Sequence, residues 1–480
     1  MKTQPLDLLD SFPAADDISA SATLEQESAD FQTKIVVLDD DPTGIQTVHD
    51  IFVYTDWNAN TLREAFSDPH PLFFILTNSR SFSAEKTVAV HREIAENLCA
   101  VSRETGKEFL LLSRSDSTLR GHYPLETEVL KHTLENLTGC MFDGEIICPF
   151  FPEGGRYTIN NIHYVREKNA LIPAGDTEFA RDKTFSFHSS DLTEYVEEKT
   201  KGVYSKDSCI CISLDELRAQ DYEGITKKLM SADNFRKIIV NAVCYADLKV
   251  FSTSWIRAMK KGKNFLSRCA AALPKVIGKV PDRPLLTAAE LCPEHSGNGG
   301  LIIIGSHVKK TTEQFKTLLD AGFPLEPLEF HVDTCFRENG LEKEADRILK
   351  RTESLIAEGR TVLVYTSRTL LAPDGCSEEE LLALSVKISG ALTSIVSMLS
   401  VRPSFILAKG GITSSDVGTL GLHVHKALIL GQIRPGIPVW RTGKESRFPD
   451  ISYIIFPGNV GGPDTLRDIV FELITEEESE

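Results

Sequence analysis

Long apolar runs are missing from this chain. None approaches the roughly 20 residues that a membrane-spanning helix needs, so neither a membrane protein nor a membrane partner is expected. Basic excess is missing too. Only 52 lysines and arginines stand against 69 acidic residues, a net charge of −17. That balance excludes a general nucleic-acid binder, which needs cations to neutralise phosphates, but leaves room for a nucleotide held in a local basic site. The ten cysteines form no CxxC pair, and no Cys/His spacing suits zinc. Cys209 and Cys211 read as one face of a strand, and free thiols in a reducing compartment are expected. The first 30 residues lack a basic-then-apolar leader pattern. The expected location is therefore cytoplasmic. Neither the Walker A pattern nor the dinucleotide GxGxxG fingerprint occurs.

What is present is an alternation of short apolar runs with helix-length amphipathic segments. Strands are expected at 35–38, 72–77, 109–113, 145–149, 209–213 and 237–241, with helices at 84–103 and 125–137. Strands alternating with helices imply an α/β protein with mainly parallel sheets. At 480 residues the chain is too long for one core. We expect a polar lead-in over 1–32, a first domain over 33–285, a Pro/Gly-rich linker over 286–300 and a second domain over 301–480. Strands at 301–304, 361–366, 405–408 and 453–456 belong to the second.

Several of these strands end in polar clusters. Asp39-Asp40-Asp41-Pro42-Thr43-Gly44 follows the first run. Adjacent carboxylates repel one another unless a cation, water or donors relieve them. A turn needs one Asp, not three, so a metal or proton-transfer site is the stronger reading over an Asp-rich capping turn. Ser113-Arg114-Ser115-Asp116-Ser117-Thr118-Leu119-Arg120-Gly121-His122 follows another run. Arginines clamp carboxylates, while Asp, Ser and Thr read hydroxyls, so a small anionic polyhydroxylated ligand fits, against a plain helix cap. Gly154-Gly155-Arg156 offers a further guanidinium, and Thr77-Asn78-Ser79-Arg80 has the same strand-end layout. Each of these two is weak alone.

In the second half, Lys409-Gly410-Gly411-Ile412-Thr413-Ser414-Ser415-Asp416 joins a strand to a helix. Paired glycines let backbone N–H groups approach phosphate oxygens. Gly305-Ser306-His307 and Gly458-Asn459-Val460-Gly461-Gly462 repeat the layout. Any one loop is adequately explained as a tight turn; three together favour phosphate binding. His423 and His425 could be metal ligands, but no carboxylate or cysteine stands beside them at metal spacing, and packing or surface positions are preferred.

Taken together, Asp39-Asp40-Asp41-Pro42-Thr43-Gly44, Asp116-Ser117-Thr118-Leu119-Arg120-Gly121, Gly155-Arg156 and Lys409-Gly410-Gly411-Ile412-Thr413 resemble the four-carbon acid sugar kinase family, over about residues 34–475. The resemblance implies an ATP-dependent kinase of threonate, erythronate or an oxo-tetronate, with a sugar-acid domain, a nucleotide domain and the active site in the cleft between them. It implies that Asp39, Asp40 and Asp116 line the substrate side; we expect Asp39 or Asp40 as general base or metal carboxylate, Asp40 being the candidate Mg²⁺ ligand, and Asp116 as hydroxyl orienter or alternative base. Thr43, Arg114, Ser117, Arg120 and Arg156 would hold the substrate, Arg120 with Arg156 clamping its carboxylate. Ser306, Lys409, Gly410, Gly411, Ile412, Thr413, Gly458, Gly461 and Gly462 would hold ATP. An oxidoreductase or aldolase of the same acids, and a non-catalytic sensor, are the alternatives; homo-oligomers are left open. The third aspartate, Pro42 and the Ser113-Arg114-Ser115 string depart from the commoner family pattern and mark a divergent branch.

Overall fold

The computed structural model describes residues 2–292, 297–306, 308–368, 378–458 and 460–475; His307, Asn459 and part of the expected linker lie outside them. The chain forms two compact units, one of residues 1–47 and 56–281, the other of 48–55 and 282–480.

The main sheet of the first unit is parallel throughout the described residues. From one edge it runs β10 (Ile210–Ile212), β11 (Arg236–Val240), β6 (Gly144–Cys148) and β12 (Phe265–Cys269). It continues through β5 (Phe109–Arg114), β2 (Lys34–Asp39) and β4 (Leu72–Leu76). Every residue of β2, β4, β6 and β12 is buried, as apolar strands covered on both faces must be. The helices Ala84–Thr105 and Leu125–Thr138 pack on each other, while Asp17–Glu27 and Tyr222–Met230 pack on Tyr245–Lys260. Ser83 caps Ala84–Thr105 by accepting the Lys86 N–H, and Gly106 ends it at φ 65°. Within this sheet the next strand in sequence after β2 is β4, on one side of it, and the one after that is β5, on the other. Such a switch point opens a crevice at the carboxyl ends of the strands.

A second, antiparallel sheet was not anticipated from the sequence. It joins β1 (Gln4–Pro5), β9 (Ala170–Pro173), β8 (Ile162–Glu167) and β7 (Arg156–Ile159). Its strands are short, and the turn at Asn160-Asn161 holds both asparagines at positive φ. The lead-in is thus tied down at β1 and by the helix Asp17–Glu27.

In the second unit a parallel block of β19 (Ser452–Phe456), β16 (Ile406–Lys409), β13 (Leu301–Ile304), β15 (Thr361–Thr366) and β14 (Leu325–Phe330) is extended antiparallel. The extension is β18 (Ile437–Thr442), β17 (Lys426–Arg434) and β3 (Ile51–Tyr54). Strand β3 is early in sequence yet pairs with β17, so 48–55 groups with the second unit rather than with its neighbours in the chain. Strand β17 alternates strictly between half-buried and buried residues, the pattern of a strand wetted on one face. The switch point here lies between β13 and β16. Among the described residues no helix is long and apolar enough to cross a membrane.

Candidate functional site

At the switch point of the first unit, Asp39 and Arg114 end neighbouring strands in register. Arg114 Nη1 donates to Asp39 Oδ1 at 2.9 Å and to Asp40 Oδ1 at 3.4 Å. Arg80, in the turn after β4, donates to Asp40 through Nη2 at 2.5 Å and Nε at 3.1 Å. It also reaches Asp41 at 3.3 Å and lies 3.9 Å from Asp116. Ser115 Oγ donates to Asp40 Oδ2 at 2.9 Å. Thr43 caps Asp41, through its backbone N–H at 2.8 Å and its hydroxyl at 2.5 Å. The three aspartates are therefore relieved by two guanidinium groups, not by water alone.

The carboxylates differ in character. Asp39 is 1% exposed and its Oδ2 has no hydrogen-bond partner. Burial, with help from Asp40 and Asp41 and against Arg114, pushes its pKa up to about 7. Gly44 sits directly on it; a Cβ there would overlap the Asp39 carboxylate. Asp116 goes the other way. Burial would raise it, but Arg120 and Arg80 outweigh that and hold it far below the usual carboxylate range. Arg120 Nε donates to it at 2.8 Å, and Thr118 donates its hydroxyl.

The arginines named from the sequence are unequally engaged. Arg114 is spent on Asp39 and Asp40. Arg120 bonds Asp116, and its Nη1 lies 3.7 Å from Asp182. Arg156, at the head of β7, has a buried Nε without a hydrogen-bond partner and faces the Phe179 ring at 5.8 Å. Arg120 faces the same ring at 5.0 Å. Burial pulls the Arg156 pKa down, and the attraction of Asp116 only partly offsets it. The Ser117 carbonyl accepts from His163 Nε2 at 2.7 Å, which fixes the Asp116–Arg120 loop from below. Burial holds His163 down at about 4, so the ring is neutral.

Two residues outside the sequence-derived set join this network. Arg80 was visible only as the end of a strand-end motif, and it turns out to bind Asp40 and Asp41 and to lie near Asp116. Arg268, on β12, donates to the Arg120 carbonyl at 2.8 Å and stands 5.2 Å from the Tyr123 ring, with Nε and Nη1 unpartnered. An arginine beside a serine in a short, mostly apolar run was its only signal.

In the second unit the expected loops converge at the ends of β13, β16 and β19. Ser306 Oγ accepts from Thr311 at 3.4 Å, and Thr311 donates to the Gly458 carbonyl at 3.2 Å. Gly410 lies beside both, with φ 124°; a Cβ there would stand 2.9 Å from Ser306 Cβ. Its N–H donates to the Phe456 carbonyl at 2.9 Å. Thr413 is buried against Gly305. Ile412 points outward, 63% exposed. Gly461 and Gly462 serve a turn: the Gly462 N–H donates to Thr465 Oγ1 at 2.8 Å, and Gln314 holds the Gly462 carbonyl at 2.8 Å. Beneath the loops lies Lys409, fully buried, its Nζ 3.2 Å from the Pro457 carbonyl.

Among the described residues no group of His, Cys, Asp and Glu is arranged to hold a metal ion. Asp40 in particular does not fit that role. Both its oxygens are engaged by Arg80, Arg114 and Ser115, and a cation would have to displace a guanidinium.

One unit thus presents carboxylates, hydroxyls and arginines, and the other a glycine-lined anion cradle, each at the switch point of an α/β sheet. That is the make-up of a sugar-binding part joined to a nucleotide-binding part. Residues 35–277 match the family model of a sugar-binding N-terminal domain, and residues 301–466 that of a nucleotide-binding C-terminal domain. The chain belongs to the family built from these two domains, that of the four-carbon acid sugar kinases. No curated protein matches it in sequence. Its fold is similar to that of a Salmonella typhimurium LT2 protein provisionally described as a tRNA synthase, at 16% identity and a TM-score of 0.61, covering 90% of this chain and 98% of that one. It is similar also to a Haemophilus influenzae protein of a domain family designated DUF1537, at 16% identity and a TM-score of 0.55, covering 91% and 100%.

Proposed function

We propose that the protein is an ATP-dependent kinase that phosphorylates a hydroxyl of a small, four-carbon sugar acid. The observation that carries this reading is that one unit holds both the unspent guanidinium of Arg156 and a buried carboxylate, Asp39, whose pKa is pushed up to about 7. Arg156, with the free edge of Arg120, takes the carboxylate of the acid. Asp116, firmly ionised, accepts a hydrogen bond from a substrate hydroxyl and orients it. Asp39 takes the proton of the attacking hydroxyl, since a base works best with a pKa near the working pH. Arg80 and Arg114 hold Asp39, Asp40 and Asp116 in place.

In the second unit Ser306, Gly410, Gly411, Thr413 and Gly458 hold the phosphates of ATP. Phosphoryl transfer is mostly positioning and charge neutralisation, so little covalent chemistry is asked of the protein. A divalent cation carried on the nucleotide's own phosphates would neutralise charge there without a dedicated protein cage.

The test is ADP release measured across a panel of C4 to C6 sugar acids. Turnover with one or more four-carbon acids is expected. ATP binding without turnover on any acid overturns the kinase reading and favours a sensor.

A further inference from the structure

Lys409 is the last residue of β16 and has no exposed surface. Its register partners are Ile304 on one side and Phe456 on the other, both apolar. Nζ lies 3.5 Å from the centre of the Phe456 ring and bonds one acceptor, the Pro457 carbonyl at 3.2 Å. An ammonium carries three donors, so two go unused. Among the described residues no carboxylate lies within ion-pair distance of it. The packed strands β13 and β19 bring no charged residue. The helix Gly411–Asp416 brings only Asp416, which accepts from Ser389 at 2.5 Å. The helix Lys309–Asp320 brings Lys310, which repels.

A buried cation without an anion is costly, and a lysine so placed sheds its proton instead. Burial first, then Lys310, depress the Lys409 pKa to about 7. The Pro457 carbonyl precedes Gly458, and Gly410 follows Lys409 directly, so the amine lies under the point where the glycine loops meet.

We propose that Lys409 takes up a proton from solvent when a nucleotide phosphate enters the cradle, so that the bound anion supplies the counter-charge the fold withholds. This rests on the nucleotide reading of the same loops. The neutral amine becomes an ammonium, and no other bond changes. A phosphate brought close favours the charged form and raises the affinity of the amine for its proton. Nucleotide affinity then falls about tenfold per pH unit above pH 7, by linkage.

Calorimetry of ADP binding at pH 8.5, in two buffers of different ionisation enthalpy, measures the uptake directly. At that pH a phosphate's own ionisation, near pH 6, is complete. The full-length protein is expected to take up most of one proton. Lys409→Met, close in shape, is expected to take up none, and to lose the pH dependence of its affinity. Lys409→Arg, always charged, tests the same point should the methionine variant not fold: it is expected to bind ADP without uptake. Binding by the unaltered protein without proton uptake, or equal uptake in either variant, overturns the inference and leaves the nucleotide reading intact. No ADP binding by the unaltered protein overturns both.

Discussion

The two candidate sites occupy the same topological position and fill it in opposite ways. In the first unit the switch point is crowded with side chains: Asp39, Asp40, Asp41 and Asp116 against Arg80, Arg114 and Arg120, nearly all paired with one another. In the second unit the switch point is bare backbone, with Ser306, Gly410 and Gly458 at the rim and one unpaired lysine below. The first pairs most of its charges within the fold, which suits selection among similar polyhydroxylated ligands. The second is left wanting an anion, which suits a ligand that brings several negative charges.

The sharpest way to break this contrast is at Asp39. Asp39→Asn removes the proposed base without changing its shape, and should lower kcat by about 10²–10⁴-fold. In the unaltered protein kcat/KM should climb tenfold per pH unit below about 7 and then level off, because only the deprotonated carboxylate works. Stability should move the other way. The folded pKa of Asp39 lies above the unfolded value of about 3.9, so its contribution is full below that value and is lost as pH rises through about 7. Asp39→Asn should lack that loss in a melting series across pH 4 to 8. A variant with full activity removes Asp39 from the mechanism.

Next in size comes Arg80→Met, which strands Asp40, Asp41 and Asp116 without one of their cations. Removing one partner of a buried ionic group costs about 3–5 kcal/mol, to be read as a fall in denaturation midpoint. An unchanged midpoint would mean that the first site is not held together by its own charges. Gly410→Ala tests the second site. The backbone there lies at φ 124° and the new Cβ meets Ser306, so strain of about 1–3 kcal/mol is expected, read as a fall in denaturation midpoint, and nucleotide affinity should fall as the loop shifts to relieve it. Sugar-acid affinity should not move.

The two sites were also unequally legible. The buried strands and their strand-end motifs could be read from the sequence because parallel strands appear as continuous apolar runs ended by polar residues, as in β2 and β5. The antiparallel parts escaped: β17 announces itself only by alternation, and β3 joins the second unit through a pairing some 370 residues distant, which no local pattern reveals. Asp39 and Asp116 stood out as residue types, but not the opposite directions of their pKa shifts, which depend on partners contributed by other strands. Arg268 was hidden for the same reason. Its neighbours Ser115 and Arg120 are about 150 residues away in the chain. Gly461 and Gly462 were read as phosphate-binding glycines, and the turn they form before the helix Thr465–Ile474 was not legible because it depends on the Thr465 hydroxyl.

The smallest expected effect discriminates most finely. Among the described residues Ser306 Oγ makes only long contacts, at 3.4 Å to Thr311 and 3.4 Å to the Val308 N–H. It lies 3.4 Å from where a Gly458 Cβ would stand, at the centre of the cradle. A hydroxyl with so little internal work is available to a ligand oxygen. Ser306→Ala should therefore leave the melting temperature unchanged and weaken nucleotide binding by one hydrogen bond, about 0.5–1.5 kcal/mol or roughly 2- to 12-fold. Its sugar-acid affinity, measured without nucleotide, should match the unaltered protein. A loss of stability with unchanged nucleotide affinity would recast Ser306 as a loop brace. The second site would then rest on backbone and Lys409 alone, and its contrast with the charged lattice around Asp39 would be deeper still.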